Sequence, residues 1–425
     1  MAFEYKIGGE ILRKFIEKEG SLESLIFKSK FRNLKEKPLS LKKRIFALVI
    51  NTLKNYELIE KLIKYAKMDE ILSIPIPHYS LVLMTYDLLF RKAISGGGQW
   101  KREVLKYKNE LRTQFEAIRT SVTEATEIVI LPRYVRVNTL MTTLEECQNV
   151  LKRENFIFLG ELKATTQFNK DFTYFNDHTI PNLLVFSRNA TKYLQPIVEK
   201  GYLIFQDKAS CIPAHILAPA KNSVIIDACA APGNKTSFLA SLLNKTGKIY
   251  AFDIDKHRLN EMKKNLKRWE ATYVEAIRHD FLKVKPSDYT DVEYILVDPS
   301  CSGSGMANRV DQPIQDKSNE LSMRLGKLQN FQVMALKHAL SFPSVQKVVY
   351  STCSIYQEEN EMVVKEALES YAESFNLEFI LPEWESRGKN ESFEYGHYCL
   401  RASPENDRTI GFFVALFKRK NIQKI

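Results

Sequence analysis

From Leu41 to Ala66 apolar residues recur three and four positions apart: Ile45, Leu48, Val49, Leu53, Leu58, Ile59, Leu62 and Ile63, with lysines between them. That spacing predicts helix, because residues three and four apart share one face of a 3.6-residue turn. Pro75 and Pro77 interrupt the pattern before a second apolar run, LVLMTYDLLF. Three glycines at 96–98 then open a basic helical stretch, QWKREVLKYKNELRTQFEAIR. An interhelical loop accounts for them, and a close approach of backbone to phosphate is the alternative. Residues 1–128 are therefore expected to form an α-helical domain.

Near residue 130 the period changes. IVILPRYVRVNTL alternates around Tyr134, Val135 and Val137, TTLEECQNVLKREN reads as a helix capped by Thr142 or Thr143, and NLLVFS at 182–187 reads as a strand. A small α+β module is expected over 129–200. From 201 to 425 strands and helices alternate. NSVIIDACAAPGNKTSFLASLL runs strand, small-residue turn, helix, and GKIYAFDIDKHRLNEMKKNLKRW repeats strand, acid, helix, with Leu259, Met262, Leu266 and Trp269 on its apolar side. IRHDFLKV and EYILVDPSCS bring two more acids just past strands. Such alternation predicts an α/β fold with a doubly wound parallel sheet, whose ligands bind beyond the carboxyl ends of the strands. Asp227, Asp253, Asp280, Asp298 and Cys353 are expected to share that rim.

Charge adds a partner to this picture. The net charge is +11, and residues 1–130 hold 24 Lys and Arg against 16 Asp and Glu, which places +8 in the first third. A nucleic acid suits that balance, as does a well-solvated helical surface. Phe3, Phe27 and Phe31 read as core residues, with base stacking as the alternative. No apolar run approaches the ~20 residues of a membrane span, and the amino terminus lacks a signal-like apolar stretch, so an intracellular protein without a membrane partner is expected. The six cysteines are sparse and widely spread, which predicts reduced thiols, and the seven histidines show no paired spacing with them, so no metal site is expected.

Two thiols sit in unusual company. DPSCSGSG (298–305) and YSTCS (350–354) each follow an apolar run and set a cysteine among hydroxyls. Cys147, Cys211 and Cys399 read as buried thiols without a role. The turn ACAAPG lets backbone approach a ligand at a helix start, and Asp253, 26 residues after Asp227, stands where a ribose diol is gripped in a dinucleotide-type fold. APGNKT departs from the phosphate-binding loop, because Asn234 separates Gly233 from Lys235, and GxGxxG is missing. S-adenosylmethionine is the remaining common nucleoside cofactor, and its cationic sulfonium suits a rim of carboxylates.

DACAAPGNKT, DPSCSGSG and YSTCS followed by QEENE resemble the Sun-domain (Fmu-like) family of RNA cytosine-5 methyltransferases. The likeness spans about 131–418 and takes in RYVRVNT and QDKAS. GSLESLIFKSKF and HYCLRASPE are similar to the branch holding the fifth human member and its yeast counterpart, which acts on large-subunit ribosomal RNA. The resemblance implies a Rossmann-like catalytic domain (201–425) that uses S-adenosyl-L-methionine, behind a ferredoxin-like, RRM-like module and a basic helical RNA-binding domain. It implies Cys353 as the nucleophile at cytosine carbon 6, Cys301 as the group assisting product release, and Asp298 as an acid on ring nitrogen 3 and the amino group. Asp298 must be protonated for that, through burial and nearby acids. Lys235 lowers the thiol pKa or orders the loop.

Cofactor contacts are implied for Cys229, Ala230, Ala231, Pro232, Gly233, Asn234 and Lys235, for Asp253 and Arg258 near the ribose and methionine ends, for Asp280 near adenine, and for Asp298. Asp280 as a cap and Arg258 as a solvated residue remain open readings. Arg133, Arg136 and Asn138 are assigned to RNA, with solubilisation of a strand edge as the arginines' alternative. Two residues depart from the family pattern, Asn234 in place of Gly and Ser300 in place of Pro. DNA cytosine-5 enzymes would put the nucleophile at the position of Cys301, but YSTCS has no counterpart in them. Amino-group methylation would need an aromatic residue where Cys301 stands. A catalytically silent ribosome assembly factor is the alternative from another class. A monomer acting on ribosomal RNA or pre-ribosomal particles in the nucleolus of the nucleus is expected.

Overall fold

The computed structural model describes residues 3–420 apart from 18, 20–21, 28–33, 35, 92, 97, 123–130, 163–169, 307–317 and 392. The expected boundary at 128–129, Phe31 and Gly97 lie outside the described residues. The chain forms two compact units, one of residues 1–128 with 308–319 and one of 129–307 with 320–425. Among the described residues no helix is long and apolar enough to cross a membrane.

The first unit is helical, with helices at Phe3–Ile16, Leu39–Leu53, Tyr56–Tyr65, His78–Phe90, Gln99–Lys106 and Lys108–Val122 among others. The periodic run from Leu41 to Ala66 is thus two helices. The break falls at Asn55, whose side chain donates to Asn51 O at 2.9 Å, a local bond with which asparagine competes against helix propagation. Pro77 precedes His78–Phe90, in which Ser80 through Leu89 are all buried. A helix apolar on every side belongs at the centre of its unit. Phe3 and Phe27, expected in the core, are exposed instead, Phe3 under the Lys37 ammonium and Phe27 against Phe46, because the helical unit fills its centre with other side chains.

The second unit holds two sheets. The smaller has β1 (Arg133–Val137), β2 (Ile157–Glu161), β3 (Thr173–Asn176), β4 (Leu183–Phe186) and β5 (Leu203–Phe205) in the order β2-β3-β4-β1-β5. Helices Leu144–Arg153 and Thr191–Glu199 supply residues to its core. Thr143 caps the first through a capping box with Glu146. β5 lies beyond residue 200, where the catalytic domain was expected to begin. It pairs with β1 through Val135, Arg136 and Val137 because a three-residue strand completes the sheet edge that β1 would otherwise expose.

The larger sheet contains β6 (Val224–Asp227), β7 (Lys248–Phe252), β8 (Val274–Ile277), β9 (Val292–Val297), β10 (Lys347–Thr352), β11 (Phe375–Leu377), β12 (Leu400–Ala402) and β13 (Phe412–Arg419). Its order is β11-β13-β10-β9-β6-β7-β8, with β12 paired to β13. Strands β8, β7, β6, β9 and β10 are parallel, β13 runs against them, and β11, antiparallel to β13, returns to their direction. The chain winds from β6 to β7 and β8, then crosses to β9 on the other side. The winding direction reverses between β6 and β9, the switch point beyond whose carboxyl ends open α/β sheets bind their ligands.

Candidate active site

Five side chains stand where the parallel strands end: Asp227 closes β6, Asp253 follows β7, Asp280 lies three residues past β8, Asp298 follows β9 and Cys353 follows β10. Lys235 is the second residue of the helix Asn234–Leu243, which leaves the turn after β6. Gly233 caps that helix at φ 101°, a left-handed conformation open to glycine. Asn234 is therefore an ordinary first helical residue, and the unusual geometry belongs to its neighbour.

The lysine and the rim meet directly. Lys235 Nζ donates to Asp298 Oδ2 at 2.7 Å, and Ser351 Oγ donates to Asp298 Oδ1 at 2.7 Å. Burial pushes the Lys235 ammonium down, but the adjacent Asp298 carboxylate outweighs it and holds its pKa above the usual lysine value. The two thiols also meet, Cys301 Sγ lying 3.1 Å from Cys353 Sγ. Their hydrogen bond, with burial behind it, pushes the Cys301 thiol far up. Cys353 contributes to the raised value of Lys235, which places it within electrostatic reach of the ammonium.

The acids on the nucleoside side are fixed by backbone. Asp253 accepts from Ala231 N–H at 3.2 Å and Asp255 N–H at 2.9 Å. Arg258 donates to Ala231 O and lies 3.7 Å from Asp253, with its side chain half exposed. Asp280 caps the turn Phe281–Lys283 by accepting from Leu282 N–H at 3.1 Å. Asp227 accepts from Thr236 Oγ1 at 2.7 Å with one oxygen, and its other, buried oxygen has no hydrogen-bond partner among the described residues. Burial pushes the Cys229 thiol up, which leaves it a neutral group in the turn. Among the described residues no three His, Cys, Asp or Glu side chains are placed to hold a metal ion.

Two residues assigned to RNA from the sequence lie elsewhere. Arg136 is 1% exposed, and its guanidinium donates to Gln206 Oε1, Ser237 Oγ, Ser241 Oγ and Asn234 O while lying 4.7 Å over the Phe238 ring. Asn138 is fully buried and donates to Gly201 O and Trp269 O. Both lie inside the second unit, where they join the small sheet to the catalytic one, so neither faces a nucleic acid. Arg133 is part-exposed, donates to Thr191 Oγ1 and lies over Phe205.

Sequence reasoning missed several residues around the thiols. Ser302, Ser304 and Ser354 hydroxyls lie 3.1–3.2 Å from one another and join the two cysteine loops. Glu359 and Asn360 are buried and bond to the cysteine loops, and the buried Glu361 holds Arg401, which donates to Ile355 O beside them. Their signal was three polar residues in succession, in QEENE, directly after the second cysteine motif.

A doubly wound α/β domain with rim acids and paired thiols defines a class of methyltransferase, and the comparisons agree. A solved methyltransferase homologue from Pyrococcus horikoshii shares the fold, with a TM-score of 0.54 at 24% identity over 85% of this chain and 98% of that one. Residues 214–418 match the family described as 16S rRNA methyltransferase RsmB/F. Residues 43–129 and 131–206 match the N-terminal and ferredoxin-like domains of NOL1/NOP2/Sun domain family member 5. The mouse 28S rRNA (cytosine-C(5))-methyltransferase is 39% identical, covering 98% of this chain and 91% of its own. The 26S rRNA (cytosine-C(5))-methyltransferase nsun-5 of Caenorhabditis elegans is 34% identical, covering 98% of both. The chain belongs to the NOL1/NOP2/Sun domain family, in the branch of its fifth member.

Proposed function

We propose that this protein methylates carbon 5 of a cytosine in large-subunit ribosomal RNA, through a covalent bond between Cys353 and the base. The observation that carries the reading is the 3.1 Å pairing of Cys301 and Cys353 at the ends of adjacent strands, beside the Lys235–Asp298 ion pair. The names of the relatives support the substrate. The rim fits S-adenosylmethionine: Asp253, Asp280 and Asp298 end neighbouring strands, and Asp227 keeps an unfilled acceptor among them. Residues 229–235, Asp253, Arg258 and Asp280 would hold it, and it would supply an electrophilic methyl group.

Cytosine carbon 5 is a weak nucleophile until a thiolate adds to carbon 6. Cys353 makes that bond, because the Lys235 ammonium lies within electrostatic reach of its sulfur and favours a thiolate there. Asp298 is held by Ser351 on one oxygen and Lys235 on the other, so the proton it passes to ring nitrogen 3 waits 2.7 Å away on the lysine. After methylation a water molecule takes the carbon 5 proton, and the electron pair of that bond restores the ring double bond as the carbon 6–sulfur bond breaks. Cys353 leaves as a thiolate, and the proton on ring nitrogen 3 returns through Asp298 to Lys235. The Cys301 thiol stabilises that leaving sulfur by donating to it. The basic first unit and Arg133 would contact the RNA backbone, and the protein would act as a monomer in the nucleolus.

Labelled methyl transfer tests the reading. With methyl-labelled S-adenosylmethionine and RNA from cells lacking the enzyme, label should appear as 5-methylcytidine in large-subunit RNA. Cys353→Ser should abolish it. Label in another nucleoside, or in small-subunit RNA alone, would overturn the assignment.

A further inference from the structure

QEENE follows the second cysteine motif, and the chemistry above leaves its first buried glutamate without a task. Glu359 is fully buried, with Oε1 accepting from Ser302 N–H at 2.8 Å and from Gln332 Nε2 at 3.0 Å. Gln332 Nε2 also donates to Ser300 O at 3.0 Å. Cys301 is therefore gripped on both sides, at the carbonyl before it and the amide after it, by two side chains that bond to each other. Gln332 lies in the buried part of the helix Ser318–Leu340.

Glu359 is itself anchored to the other thiol's strand. Tyr350 Oη in β10 donates to Glu359 O at 2.6 Å, and the next residue, Asn360, bonds to Thr352 Oγ1 and to Ser354 O on either side of Cys353. One short segment thus touches the flanks of both cysteines. Among the described residues its second carboxylate oxygen, also buried, has no hydrogen-bond partner. An ionisable group kept under these conditions, where an apolar residue would cost less, has its geometry as its reason.

We propose that Glu359, acting with Gln332, is a positioning residue for breakdown of the cysteine–cytosine adduct: it sets the Cys301 thiol against the sulfur that must leave. The inference rests on Cys353 as nucleophile and Cys301 as release group. Misplacing a reacting group by about 1 Å costs up to about a hundredfold in rate. The release step should therefore suffer while Cys353, held by β10, still attacks.

Rapid-quench kinetics on the full-length protein, with RNA substrate and S-adenosylmethionine, separate the two steps. Glu359→Ala should slow adduct breakdown about tenfold or more, with its formation rate and KM for RNA nearly unchanged. Glu359→Gln, which keeps an acceptor for Ser302, should recover much of the breakdown rate. Gln332→Met, close in volume, should slow breakdown in the same direction and decides the matter if the alanine variant does not fold. Wild-type breakdown in Glu359→Ala or Gln332→Met would overturn the proposal. So would an equal loss of both steps without recovery in Glu359→Gln. Cys301→Ser is the control: if it fails to hold the adduct, the roles of the thiols are wrong, and if it holds it while the Glu359 and Gln332 variants do not, only the positioning role fails.

Discussion

Asp227 carries a measurable signature of the rim. Burial pushes its carboxyl up to about 7, against the bond from Thr236 that pulls it down, with the Asp298 charge adding to the rise. The folded value lies above that of the unfolded chain, so between about pH 4 and pH 7 the native state keeps a proton that the unfolded chain has lost. Stability from this group is then full at low pH and falls as pH rises through that window, by up to about 4 kcal/mol. Melting temperatures of the wild type and Asp227→Asn, measured from about pH 4 to about pH 8, should show the wild type losing ground to the variant up to about pH 7 and holding level beyond it. A constant difference would contradict the raised value. Arg136 makes the opposite lesson about reading residues. In the strand RYVRV side chains alternate, so Tyr134 and Arg136 share the face toward the catalytic domain, while Val135 and Val137 enter the module's own core. A formal charge suggested solvent and phosphate, but period two already set Arg136 on the face opposite Arg133. Burial lowers its pKa to about 10, and its bonds go to neutral oxygens. Arg136→Met should destabilise the protein by about 3 kcal/mol in urea unfolding, and Arg136→Lys should recover little, lacking the planar fork.

At the scale of elements, the site depends on how two loops after β9 and β10 are brought together. Gly305 N–H donates to Cys353 O at 2.9 Å, and Gly411 N–H, just before β13, donates to Gly305 O at 2.8 Å. A Cβ on Gly305 would meet Gly411 O at 2.0 Å, so the two backbones pass where no side chain fits. Gly305→Ala should lower methyl transfer about tenfold or more and reduce stability, because the shift falls on backbone that holds the Cys353 loop. Unchanged kinetics would mean that the loops adapt. Elements with strong local signals were readable: the strand–turn–helix at VIIDACAAPGNKT, a cap at Thr142 or Thr143 and the acids past four of the parallel strands. β2, β3 and β5 were not read, since strands of three to five residues between loops carry too few alternations to register. The clasp around Cys301 was equally hidden, because Gln332 and Glu359 come from segments 27 residues apart that only packing unites.

For the whole molecule, charge and motif order told more than any single residue. Three motifs in sequence order fixed the class of chemistry, because the paired thiols, the lysine–aspartate contact and the nucleoside turn converge only through a doubly wound sheet. The excess charge of the first 130 residues agrees with an RNA partner, although the two arginines singled out for that purpose divide between a part-exposed edge and the interior. RNA contact is therefore expected from many weak basic positions and should fall steeply with salt. The central claim is a bond between Cys353 and cytosine, and trapping tests it most directly. Cys301→Ala and Cys353→Ala proteins would each be incubated with cellular RNA and S-adenosylmethionine, then run on a denaturing gel and probed for protein-bound RNA. A persistent adduct in Cys301→Ala and none in Cys353→Ala is the expected result. The reverse pattern would exchange the roles of the two thiols and contradict the account.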